Sequence, residues 1–115
     1  MAYSEFLADR IRHRLRSAGI IQEKRMMGGL IFMVNDHMCI GIDIDKTSNA
    51  DRLMVRVGKL PYKDLLAKKG SRIMDFTGKE MRGFLFIDPD GFEREEDMDF
   101  WVNQAIDFNQ RIREE

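Results

Sequence analysis

Cysteine occurs once in the 115 residues, at Cys39, which excludes an intrachain disulfide and any zinc site of the multi-cysteine kind. A reducing, cytoplasmic location is expected. Proline occurs only at Pro61 and Pro89, too rarely for a linker or a disordered tract. Histidine is equally scarce, and His13 and His37 show no metal-ligand spacing. The longest apolar run, Leu30 to Val34, is far shorter than the roughly 20 residues of a bilayer span, so no membrane association is expected. Glu5, Asp9, Arg10, Arg12 and Arg14 interrupt the N-terminal stretch where a secretory signal is apolar. The chain also lacks a Gly-x-Ser-x-Gly elbow and a P-loop lysine. No catalytic, metal or cofactor-binding residue is therefore expected, and the chain reads as a non-enzyme.

What is present describes one folded domain over residues 1–115, with 43% hydrophobic and 34% charged residues. The net charge of −1 hides an asymmetry: up to Ile87 there are 16 Lys or Arg against 10 Asp or Glu, and from Asp88 onward 3 against 10. Such polarity suits a basic surface for nucleic acid beside an acidic one. The stronger reading is local, because much of the acidity sits at a helix start, where the dipole favours it.

Tyr3, Leu7, Ile11, Leu15 and Ala18 recur at helical spacing, with Ser4 as N-cap and Gly19 as a left-handed C-cap. From Lys24 to Ile44 the period becomes that of strands. Gly28 and Gly29 read as a bulge or bend within the first strand, and Asn35 and Asp36 as the turn that ends it. The contiguous run Leu30 to Val34 predicts a strand covered on both faces, and the alternation of Met38, Ile40, Ile42 and Ile44 predicts one face less deeply buried. Leu53, Val55 and Val57 alternate toward a core, and Pro61 opens a short helix closed by Gly70. Strands follow around Ile73 to Phe76 and Gly83 to Ile87, joined through Thr77, Gly78 and Lys79; Asp88 to Gly91 then turns into a last helix, Arg94 to Arg113, whose end is basic. The expected class is α+β, in the order α-β(3)-α-β(2)-α.

Three features invite a chemical reading. Asp43, Asp45 and Thr47 after a strand share the spacing of phosphotransferase sites, in which the first carboxylate attacks phosphorus and a magnesium ion holds the phosphate. The chain is too short for the parallel sheet that this chemistry needs, and the preferred reading is a strand end entering a solvated loop. Cys39 lies in an apolar strand and reads as a core residue. The nine methionines read first as adaptable core filling, and second as an exposed sheet face that would bind protein.

Several blocks in order then carry a resemblance: Met1 to Tyr3, Arg25 to Asn35, Leu53 to Gly58, Met74 to Gly78, Met81 to Phe84, and Trp101 with Val102. On these the chain resembles the N-terminal domain of the TfoX/Sxy family, bacterial proteins named for regulators of competence. Met27 stands where phenylalanine is expected and Ile73 where proline is common. The resemblance implies a two-layer fold, an antiparallel sheet packed against helices, similar to type III secretion chaperones. It also implies a non-enzymatic regulatory or adaptor role, in transcriptional or competence-type regulation, without the C-terminal domain of full-length members.

The expected function is protein–protein binding, with a homodimer formed through a sheet edge or helix face and a further protein partner unnamed. The alternative is a nucleic-acid-associated regulator that places Arg10, Arg12, Arg14, Arg16, Lys24 and Arg25 on phosphates, although no reading helix is evident. A small phosphohydrolase built on Asp43 and Asp45 is the third reading.

Overall fold

The hydroxyl of Ser4 accepts a hydrogen bond from the Leu7 amide and so starts α1 (Glu5–Leu15), whose Leu7, Ala8, Ile11 and Leu15 turn inward. The computed structural model describes residues 3–76 and 78–114. Met1, Ala2 and Thr77, for which a helix start and a turn are expected, lie outside the described residues, as does the side chain of Arg113. The chain continues through β1 (Ile21–Met26), β2 (Gly29–Val34), β3 (His37–Ile44), β4 (Asp51–Arg56), α2 (Tyr62–Leu65), β5 (Ser71–Phe76), β6 (Lys79–Ile87), a 3-10 turn (Pro89–Gly91) and α3 (Glu95–Glu114). The six strands form one antiparallel sheet in the order β1-β2-β3-β4-β6-β5. The expected α+β class and the sheet packed against helices are what is found.

Two local expectations are corrected. Four strands, not three, precede α2, because Met27 and Gly28 form a hairpin turn instead of a bulge. Their φ values of 56° and 76° match the two-residue turn that suits strand twist, and Asn35 and Asp36, at 49° and 69°, make the next one as expected. Gly19 is not a left-handed cap: α1 has ended at Leu15, and the Gly19 φ of 148° lies outside the helical-handed well. A Cβ there would meet the Asn35 side chain at 2.5 Å, and Asn35 Oδ1 accepts from the Ile20 amide. Glycine at 19 thus allows the link between α1 and β1 to lie against the hairpin.

The sheet divides the apolar residues into two clusters. On the inner face Leu30, Phe32, Ile40, Ile42, Leu53 and Val55 pack with residues of all three helices, among them Leu7, Ile11, Tyr62, Leu65 and Trp101. The Trp101 indole N–H donates to Gly91 O at 3.1 Å, so the largest buried side chain leaves no orphan donor. Asn109 is likewise buried and donates to Val34 O at 3.0 Å, tying α3 to the end of β2. On the outer face a second cluster contains only residues of strands and of the Met27 turn. Among the described residues no helix is long and apolar enough to cross a membrane.

Candidate outer-face site

Strand alternation sends Ile31 and Met33 outward from β2, and a bulge opposite Phe32 and Met33 brings Met38 of β3 to the same side. Met54 of β4 faces Phe86 of β6, and Arg56 faces Phe84. Ile31, Met54, Met74 and Phe86 are buried here, with Met27, Met33, Met38, Met81 and Phe84 half-buried around them. No helical residue belongs to this cluster. The run Leu30 to Val34 is therefore covered on both faces as expected, but its outer cover is side chains of neighbouring strands and not a second layer.

Arginines lie flat on this surface. The Arg52 guanidinium carbon stands 3.6 Å from the centre of the Phe86 ring, and that of Arg72 is 5.9 Å from the same ring. The negative ring face attracts both cations. Arg52 also donates from Nε and Nη2 to the two oxygens of Asp43, at 3.0 and 2.9 Å. Arg72 holds Asp88 in the same two-pronged way, at 2.7 and 2.8 Å, and reaches Asp45 at 3.1 Å. The Asp45 carboxyl is held below its ordinary value, first by the Thr47 N–H that it accepts at 2.9 Å, then by Arg52 and Arg72. The arrangement is a ladder of ion pairs, two arginines with three carboxylates, along one end of the sheet.

This geometry locates the residues singled out from sequence. Asp43 and Asp45 do come together, beside an open hollow of about 600 Å³ that Met27, Lys46 and Asp75 also line. Both oxygens of Asp43 are occupied by Arg52, and Asp43 is buried, so nucleophilic attack would require breaking two charge-assisted bonds. Among the described residues no group of three His, Cys, Asp or Glu side chains is placed to hold a metal ion. Cys39 is buried in the inner core.

The basic residues of the first helix are spread over several partners. Arg10 and Arg14 both reach Glu95 of α3, and Arg14 reaches Asp99 at 2.7 Å. Arg12 holds Glu5, Asp9 and Glu23. Arg16 lies 2.8 Å from the His13 ring. A phosphate approaching this helix would have to displace carboxylates already in place. Lys24 and Arg25, on the exposed edge strand β1, have no ion pair among the described residues.

Sequence reasoning weighed the methionines but did not group Met33, Met54 and Met81 with Phe84, Phe86 and the arginines. A signal existed in Arg52, Met54 and Arg56, which alternate on the side of β4 opposite its core residues. A solvated strand face has little reason to carry methionine between two arginines. The partner row, Phe84 and Phe86, lies 28 or more residues away and is joined to it only by the β4–β6 pairing.

In comparison with known families, the model described as TfoX N-terminal domain matches residues 13–109. No curated protein matches the chain.

Proposed function

We propose that this chain, which belongs to the TfoX N-terminal domain family by the match over residues 13–109, is a regulatory or adaptor domain that acts by protein–protein binding in the cytoplasm and has no catalytic centre. The observation that carries this reading is the outer sheet face, an apolar cluster rich in methionine and phenylalanine that no helix covers. Its half-buried Met27, Met33, Met38, Met81 and Phe84 are what a partner would meet, and methionine adapts its shape to what it meets.

The occupant we assign to that face is a second copy of the chain. Arg52 and Arg72 are closed into ion pairs with Asp43, Asp45 and Asp88, so this end of the face offers little free charge that would select an unlike partner. A two-fold axis parallel to the strands lays β1 of one copy over β5 of the other and sets methionine against methionine between them.

Light scattering coupled to gel filtration tests this directly. The chain is expected to elute as a dimer at micromolar concentration, and Met33→Lys, which places a charge among the half-buried methionines of the face, is expected to elute as a folded monomer. A wild-type monomer, or a Met33→Lys dimer as stable as wild type, overturns the assignment.

A further inference from the structure

At the end of β4 the backbone makes an unusual crossing. The amides of Val57 and Gly58 both donate to Gly83 O, at 2.8 and 3.1 Å, which is a bulged arrangement of the kind that re-aims chain beside functional sites. Gly58 has φ of 84°, and a Cβ on it would stand 2.4 Å from the Phe108 ring. The absence of a side chain there lets α3 approach the end of the sheet. Between α3, the Gly58–Leu60 segment and the Arg82–Phe84 part of β6 an open hollow of about 660 Å³ remains.

Among the described residues its lining is charged in one sense only: Arg56, Lys59, Arg82 and Arg111 face it, and no carboxylate does. Arg82 has Glu80 at 3.6 Å, while Arg56, Lys59 and Arg111 have no ion pair among the described residues. By contrast Arg10, Arg12, Arg14, Arg52 and Arg72 are all matched to carboxylates. Four cations at close quarters repel one another unless an anion joins them.

One of the four is fixed in place. The Arg56 guanidinium stands 5.4 Å from the centre of Phe84 and 5.2 Å from that of Phe108, and donates from Nη1 to Met38 O at 3.3 Å. Held between two rings and one carbonyl, it keeps donors free in a rigid fork that matches the oxygens of a phosphate. Beside it Leu60, 88% exposed, and Ile112 offer an apolar wall. The volume is that of a small-molecule site, for which about 300–1,000 Å³ is usual. A nucleic-acid strand fits less well, because the neighbouring hollow, which shares Lys59 and Arg82, is interrupted by Glu80, to which the Tyr62 hydroxyl donates at 3.1 Å.

We propose that this hollow binds a small organic phosphate, with the phosphate on Arg56, Lys59 and Arg111 and an apolar or planar body against Phe84, Leu60 and Ile112. The site adjoins the proposed dimer surface at Phe84, which belongs to the outer cluster, and extends beyond it to Lys59, Phe108 and Arg111. Amide resonances of Gly58, Lys59 and Gly83 in the isotope-labelled full chain, titrated with AMP, test it. Saturable shifts are expected, weakened about tenfold by Arg111→Ala or Lys59→Ala, as the loss of a charge-assisted contact implies. Both side chains are exposed, so the variants are expected to fold. The same binding is expected in Met33→Lys, which separates this site from the state of assembly. No saturable shift at millimolar AMP, unchanged affinity in both variants, inorganic phosphate binding as tightly as AMP, or a single-stranded oligonucleotide binding where AMP does not would each overturn the proposal.

Discussion

Asp43 and Arg52 illustrate how a charged pair within a sheet depends on both members. The Asp43 side chain is 8% exposed and that of Arg52 14%, so neither is free to exchange its partner for water. Arg52→Ala would leave a buried carboxylate without its counter-ion and remove the cation from the Phe86 ring; it is expected to cost about 2–4 kcal/mol. Asp43→Asn leaves Arg52 with Asp45, 3.5 Å away, and with the ring, and is expected to cost clearly less. Urea unfolding of the two variants gives the comparison, and equal costs would contradict the geometry. Asp45 adds a pH dependence. Its carboxyl is held below its ordinary value, so the folded chain binds that proton less readily than the unfolded one. The resulting stabilisation is complete above the unfolded value of about 4 and is lost as pH falls through the lower folded value. In Asp45→Asn the urea midpoint is expected to be lower at neutral pH and to fall less steeply on acidification.

Helix α1 and helix α3 are joined by two kinds of contact of unequal weight. Arg10, Arg14, Glu95 and Asp99 form a visible network, yet its carboxylates are exposed and solvent-screened. The fully buried Leu7, Ala8, Ile11 and Leu15 carry the docking, and the ion pairs set its register. The link between α3 and the sheet is more demanding, because Phe108 passes over a position where no Cβ fits. Gly58→Ala adds both a steric overlap at 2.4 Å and a backbone at φ of 84° that alanine avoids. A loss of at least about 2 kcal/mol is expected in denaturant unfolding. Alanine tolerated there without loss would show that α3 moves freely relative to β4.

At the level of the whole molecule, a sheet with helices on one side has one core and one open face. Here the open face has half-buried Met27, Met33, Met38, Met81 and Phe84 over a buried centre, a methionine-rich surface that a partner can cover. If a second copy covers it, unfolding is coupled to dissociation. The melting temperature of wild type is then expected to rise with protein concentration, whereas that of Met33→Lys stays constant. The basic hollow lies at the end of the sheet and meets this surface at Phe84, so one chain of 115 residues presents apolar and basic chemistry side by side.

Much of this was decided locally and could be read along the chain. The stripe of Leu7, Ile11 and Leu15, the Ser4 cap, the turn at Asn35 and Asp36, and the core row Leu53, Val55 and Val57 depend on residues a few positions apart. Their period and backbone preference are sufficient to specify them. The family resemblance, which rests on short blocks in order, was equally legible. Tertiary structure alone decided which strand faces are covered, because the helices cross to one side of the sheet and bulges near Met33 and Met74 change which residues share a face. It also decided which arginines meet carboxylates and which remain together: Arg56, Arg82 and Arg111 converge from β4, β6 and α3. Electrostatic pairing and the shape of a hollow depend on distance in space, and no period or propensity along the chain encodes that distance.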